Sequence, residues 1–491
     1  MAEKVERPVD EIEKTSSHQD VPEELDNKTH VLEDWTPEEE RKLVRKIDFR
    51  ILPYLSLVFG LSLLDRSNIS AAYIAGMSKD LELTIGSRYS IALLLFFPTY
   101  AICEIPSNLI IRRIGARWWL TFLIVCWGVC VLAMGFVRSW VPLTVLRMLL
   151  GIFEAGLFPG AIFIISAWYK TYETARRVSI FYMASLLASG FNGIISYLLS
   201  LIRSGDGIYR QGWRWIFIVE GAITIGCGLL APFFLGEFPE KTRWLTDRQR
   251  HIATLRIANE RSGREYEHPT LWQGLRLLMD WKVGVYALQY YIAASSVYSL
   301  AYFIPIILRQ GMGFSYALSQ ILTSPPYLFT VAMSVLSAWL SDKMKLRWPF
   351  LCGHAAVGIF CDNRIVGLLI VLYAKPPGVR LFGIFLAVFG TQANIPGSLA
   401  YGQNQTALPH KKGLVAAAMI TAGAAGGITG STIFRAQDAP LYIPGMWATI
   451  GFQFLYFFGT MGMSLWFTKK NREADEKGVV LEGVPGFRYA P

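Results

Sequence analysis

Long apolar blocks separated by short polar ones run through most of this chain. The blocks cover 49–77, 87–110, 118–137, 141–168, 176–202 and 214–235, and then 281–308, 316–340, 349–374, 377–400, 411–434 and 443–467. About twenty apolar residues are enough to cross the hydrocarbon core of a bilayer as a helix. The pattern predicts an all-α membrane protein with twelve transmembrane helices in two six-helix bundles. It divides the chain into an N-terminal tail (1–48), a first bundle (49–235), a central loop (236–280), a second bundle (281–468) and a C-terminal tail (469–491). Residues 1–40 read as a disordered polar tail with no cleavable signal. Pro37 to Glu40 then opens a short amphipathic helix, with Leu43, Val44 and Ile47 on its apolar side.

The basic residues sit in alternate connections. Arg112, Arg113 and Arg117 follow the second span, Lys170, Arg176 and Arg177 the fourth, and the central loop the sixth. Lys343, Lys345 and Arg347 follow the eighth, Lys411 and Lys412 the tenth, and Lys469 and Lys470 the last. The intervening connections hold little more than Arg138, Arg309 or Arg435. By the positive-inside rule both termini are cytoplasmic. The basic clusters after the second and eighth spans occupy corresponding places in the two halves. Such a repeat points to a transporter with its site at the midplane between them.

Composition agrees with this reading and excludes others. The chain is 53% hydrophobic and only 17% charged, against roughly 25% in soluble domains. Its net charge of +10 is spread over topology-setting clusters, so nucleic acid is not an expected partner. Cys103, Cys126, Cys130, Cys227, Cys352 and Cys361 lie in or beside apolar runs without metal-ligand spacing, and the histidines are scattered. No metal, cofactor, nucleotide-binding loop or catalytic triad is expected, and so no enzyme.

Against that apolar background the polar residues stand out. Asp65, Arg66 and Asn68 interrupt the first span. Ionisable groups at membrane depth cost several kcal/mol and mark functional cavities, although here they could also mark a helix end in the headgroup layer. In the fourth span Arg147 and Glu154 are seven apart and share a helix face. Glu154 could carry a proton, or could form a structural pair with an arginine. Glu104 is either a second carrier or a helix–helix contact, and Glu220 is expected to pair with Arg214 or a neighbouring helix. Asn192, Tyr298, Gln392 and Asn394 could each contact a small ligand; inter-helix contact or packing is the competing reading. Gly423, Gly426, Gly427 and Gly430 point to close helix packing.

Several ordered stretches together resemble the major facilitator superfamily, and within it the anion:cation symporters of the fungal allantoate permease type. These are Leu64-Asp65-Arg66-Ser67-Asn68-Ile69 with Ala75-Gly76-Met77, Arg147 to Gly160, Gly212-Trp213-Arg214-Trp215-Ile216-Phe217 with Glu220-Gly221, Phe238-Pro239-Glu240, and Asp438 to Tyr442. The resemblance runs from about Asp48 to Lys470 and implies alternating access around a central site. It implies proton coupling at Asp65 and Glu154 and an anion-binding Arg66, with Arg147 tuning Glu154 or holding the fourth span. Arg113, Arg117 and Asp342 fall in the loops that gate such proteins. The loop 112–117 lacks the acidic residue of the general motif, and only Asp342 in the second half supplies one. Cys361-Asp362-Asn363-Arg364 places charge in a span that the fold puts against lipid.

The expected function is proton-coupled symport of a small organic anion, such as allantoate, nicotinate, biotin or pantothenate, by a plasma-membrane monomer. The expected partners are that anion, protons and the lipid bilayer. Export of a metabolite by proton antiport, or nutrient sensing without transport, are the alternatives.

Overall fold

The computed structural model describes residues 35–490 apart from 205–206, 237–238, 240–241, 243, 263–278, 345–347, 360–366, 375, 407–408, 440–441 and 485. The described chain is helical throughout, and ten of its helices are long and apolar enough to cross a membrane. Trp348–Ile359 with Gly367–Tyr373, and Ile443–Lys477, supply the ninth and twelfth spans. The charged interruption at 361–364 lies outside the described residues, as do the side chains of Arg112 and Asp342.

The first span begins earlier than its apolar run. A single helix covers Pro37–Ala72, joining the amphipathic segment to the membrane span without a break. Thr36 and Glu39 cap its start reciprocally, and nothing between Arg45 and Phe49 disfavours helix. Leu43, Val44 and Ile47 are buried. Pro53 is the one interruption of its backbone hydrogen-bonding pattern. The helix closes in a π turn, Tyr73–Met77, where Gly76 takes φ 123°, a value suited to glycine alone.

The polar start of this helix is tied to its surroundings. Glu40 pairs with Lys170 at 2.8 Å, Asp48 with Arg177 at 2.6 Å, and Glu39 with Arg248 at 3.1 Å. Arg248 belongs to Asp247–Ser262, a helix of the central connection. At the other terminus the last helix runs past the apolar boundary to Lys477. The chain then folds back: Tyr489 and Asn471 exchange hydrogen bonds, and Glu482 is held by Lys282 and Lys411.

Helix packing first builds each half. The first span packs on the fifth and sixth, and the seventh packs on the eleventh and twelfth. Close approach of the seventh and eleventh spans depends on small residues. A Cβ on Gly426 would lie 2.5 Å from the Tyr291 carbonyl oxygen. Toward the end opposite the termini, Tyr316 donates to Ser200 at 2.6 Å, Gln320 donates to the Ala71 carbonyl at 3.0 Å, and Tyr89 packs edge-on against Phe303. These contacts join the halves at that end.

Candidate functional site

Four consecutive residues of the first span define the site. Each helical residue turns the side chain by about 100°, so four in a row sweep most of the circumference. Polar groups on all of them require protein on every side, and each finds a partner. Asp65 accepts from the Trp127 indole at 2.7 Å and the Thr224 hydroxyl at 3.3 Å. Arg66 donates to Glu154 and, at 2.7 Å, to the hydroxyl of Tyr298. Ser67 accepts from Asn192 at 2.6 Å, and Asn68 donates to Glu220. The first span thereby contacts the third, fourth, fifth, sixth and seventh.

Arg66 and Glu154 form a buried ion pair. Glu154 is 1% exposed and also accepts from Ser62 at 2.5 Å. The guanidinium lies 5.1 Å from the Phe96 ring centre, 5.4 Å from Tyr100 and 5.8 Å from Tyr298. These ring faces favour a cation and replace part of its lost hydration. Such a pair is expensive to desolvate and adds little net stability, whereas removing one partner leaves a buried charge and costs about 3–5 kcal/mol.

A cavity of about 180 Å³ opens beside this pair between the two halves. Among the described residues Arg66 is the one charged side chain on its wall. Phe97, Phe158, Tyr182, Tyr290 and Tyr327 supply aromatic surface, and Asn192, Gln320, Thr323 and Gln392 supply hydrogen-bonding groups. The volume is below the roughly 300 Å³ at the small end of pockets for drug-sized ligands.

The remaining sequence-derived residues distribute unevenly. Tyr298, Asn192 and Gln392 line the cavity. Asn394 is not on the cavity wall; it is 1% exposed and donates to the Gly390 carbonyl at 2.9 Å. Its helix bends slightly at Ala393, and the amide serves the local backbone there. Asp65 lies behind the cavity wall. Arg147 is wholly buried, 5.2 Å from the Phe96 ring centre, with no hydrogen-bond partner among the described residues. Arg113 is exposed, and Arg117 lies 5.3 Å from the Trp118 ring. Glu220 meets Asn68 on the neighbouring helix, while Arg214 donates to the carbonyls of Gly135 and Val137.

Sequence reasoning missed Trp127, Thr224 and Ser62. Each is a neutral residue inside an apolar run, where nothing in the local pattern separates a partner from a packing residue. Phe96 and Tyr100 carried a weak signal, since their spacing of four puts two rings on one helix face.

The family profile described as Major Facilitator Superfamily matches residues 55–431. The chain belongs to the major facilitator superfamily. This facilitator is 33% identical over 420 residues to the MFS-type transporter cnsO of Penicillium expansum, covering 84% of this chain and 80% of that one. It is 28% identical to the high-affinity nicotinic acid transporter of Saccharomyces cerevisiae, covering 90% and 80% respectively. A bacterial homologue of the human lysosomal transporter Spinster, solved in an inward-facing and unoccupied conformation, superposes with a TM-score of 0.64 at 17% identity. That structure covers 89% of this facilitator and 98% of its own chain, and the likeness is one of fold. The protein is thus a multi-pass membrane transporter of this superfamily.

Proposed function

We propose that this facilitator is a proton-coupled symporter of small organic anions, of the anion:cation symporter type. It works in the plasma membrane with both termini cytoplasmic. The observation that carries the proposal is the Arg66–Glu154 pair at the cavity wall. While Glu154 is ionised it occupies the guanidinium, which among the described residues is the one charged group on the cavity wall. A proton on Glu154 releases the guanidinium, and a carboxylate then takes the vacated position in a charge-assisted, forked arrangement. Proton and anion therefore bind together or not at all, which is the requirement for symport. Asp65 is the second proton-holding carboxylate, and Arg147 balances its charge from the fourth span. The proton on Glu154 and one monovalent anion together add no net charge to the site while the halves rock past it.

The cavity's chemistry favours a cargo with one negative charge and a flat, apolar body, since one cation and several rings surround it. The relative named for nicotinic acid is in keeping with such a cargo. The deciding experiment is uptake of labelled carboxylates and vitamins into yeast lacking its own related permeases, with and without a proton uncoupler. Uncoupler-sensitive accumulation of an anion is expected. Flat uptake from cells that display the protein at their surface rejects the proposal.

A further inference from the structure

Behind the cavity, the first and sixth spans are joined by two polar rungs. Thr224 donates to Asp65 at 3.3 Å, and Asn68 donates to Glu220. Residues 65 and 68 are one turn apart on one helix, as are 220 and 224 on the other, so the rungs are stacked. This brings two carboxyl groups into one helix interface. Asp65 and Glu220 are each 2% exposed, and Ile216 and Phe217 beside Glu220 are buried as well. One oxygen of each carboxyl, Oδ1 of Asp65 and Oε1 of Glu220, has no hydrogen-bond partner among the described residues.

Among the described residues neither carboxyl forms an ion pair. The buried charged groups of the fourth span are Arg147 and Glu154, and Glu154 is engaged with Arg66. Arg214, on the same helix as Glu220, is engaged with Gln211 and with the carbonyls of Gly135 and Val137. The third span contributes a neutral indole, Trp127. A buried carboxylate with an amide donor and no cation is costly, and a second carboxylate one rung away makes it costlier.

We propose that Asp65 and Glu220 hold one proton between them, with Glu220 acting as a proton reservoir behind the coupling site. The pair carries one proton and one negative charge, and it titrates in two macroscopic steps that belong to both residues. Glu220 does not line the cavity and touches no cargo. It is a positioning residue that sets how readily Asp65 takes and gives its proton. Its place in transport rests on the proton-coupled reading above, but the shared proton does not.

The test uses the Trp127 indole as a reporter, because it donates directly to Asp65. The pH titration of the Trp127-dependent emission, taken as purified full-length protein minus Trp127→Phe, is measured in detergent. Two steps are expected in the parent protein. Glu220→Gln keeps a partner for Asn68 and is expected to leave one step, at least one pH unit below the parent's upper step. Asp65→Asn should abolish the titration. The double variant Asn68→Leu with Glu220→Leu replaces both rung partners by apolar groups, a change that can be nearly neutral for folding. It should reproduce the result of Glu220→Gln. An unmoved or raised midpoint in either variant overturns the shared proton. Failure of uptake to respond to an uncoupler, with the two-step titration intact, overturns only the proton-coupled reading.

Discussion

The Arg66 guanidinium of the first half donates to the Tyr298 hydroxyl of the second at 2.7 Å. The cavity's charged group is therefore also a bond between the two halves. Tyr298→Phe keeps the ring beside the cation and removes the oxygen. A hydrogen bond to a charged group contributes about 1.5–3 kcal/mol. Affinity for the transported anion should fall by about tenfold or more, read as a raised KM in uptake. An unchanged KM would remove Tyr298 from the binding site.

Glu154→Gln separates coupling from binding. Glutamine can still accept from Ser62 but has no charge to hold Arg66. Anion exchange across the membrane should persist, while uphill accumulation driven by a pH gradient is lost. Accumulation that still follows the gradient would show that Glu154 is not the coupling acid. Arg66→Ala differs, since it leaves Glu154 buried without a cation. It should abolish anion binding and lower stability by about 3–5 kcal/mol.

Gly156 is a steric requirement of the fourth span. A Cβ there would lie 2.0 Å from the Ser107 hydroxyl and 2.6 Å from a Leu123 methyl. Ser107 accepts from the Trp119 indole at 2.9 Å, so Gly156→Ala disturbs three helices at once. Overpacking of this kind costs about 1–3 kcal/mol. The melting temperature should drop for Gly156→Ala and hold or rise for Gly226→Ala, whose Cβ would meet nothing within 4 Å. Equal melting temperatures would refute the packing argument.

The folded-back C-terminal segment should respond to acid. Burial opposes ionisation of Glu482, but hydrogen bonds from Lys282 and Lys411 outweigh it and hold the carboxyl below its ordinary range. A group lowered in this way stabilises the docked segment above the ordinary carboxylate pKa of about 4.3, and the contribution is lost as pH falls through the lowered value. The segment should stay docked at neutral pH and detach only in strong acid. Glu482→Gln should loosen it at neutral pH, seen as faster tryptic cleavage at Arg488. Equal cleavage rates in parent and variant would argue against the lysine clasp.

Much of the architecture is written in the apolar runs, because a bilayer leaves the backbone few options. That Arg66 and Glu154 need partners at that depth was legible for the same reason, whereas Asp65 is met by Trp127 and Thr224 instead. Other features depend on helix rotation, which sequence spacing fixes only within one helix. Asn394 and Gln392 are two residues apart, yet one serves its own backbone and the other lines the cavity. The choice of Asn68 as partner of Glu220 likewise needed the packing of the sixth span on the first. Trp127 and Thr224 were invisible because a neutral residue among apolar ones announces nothing.

The continuous first helix has a mechanical consequence. Its polar start is anchored by Glu39, Glu40 and Asp48, while Arg66 sits near its far end. Pro53 lies between, where a missing backbone hydrogen bond makes bending easiest. From Pro53 to Arg66 is about 20 Å at 1.5 Å per residue. A swing of about 10° at that pivot would carry the guanidinium through roughly 3.5 Å, about the length of a hydrogen bond. A tilt of that size at the membrane surface would thus be enough to make or break a contact at the membrane's centre.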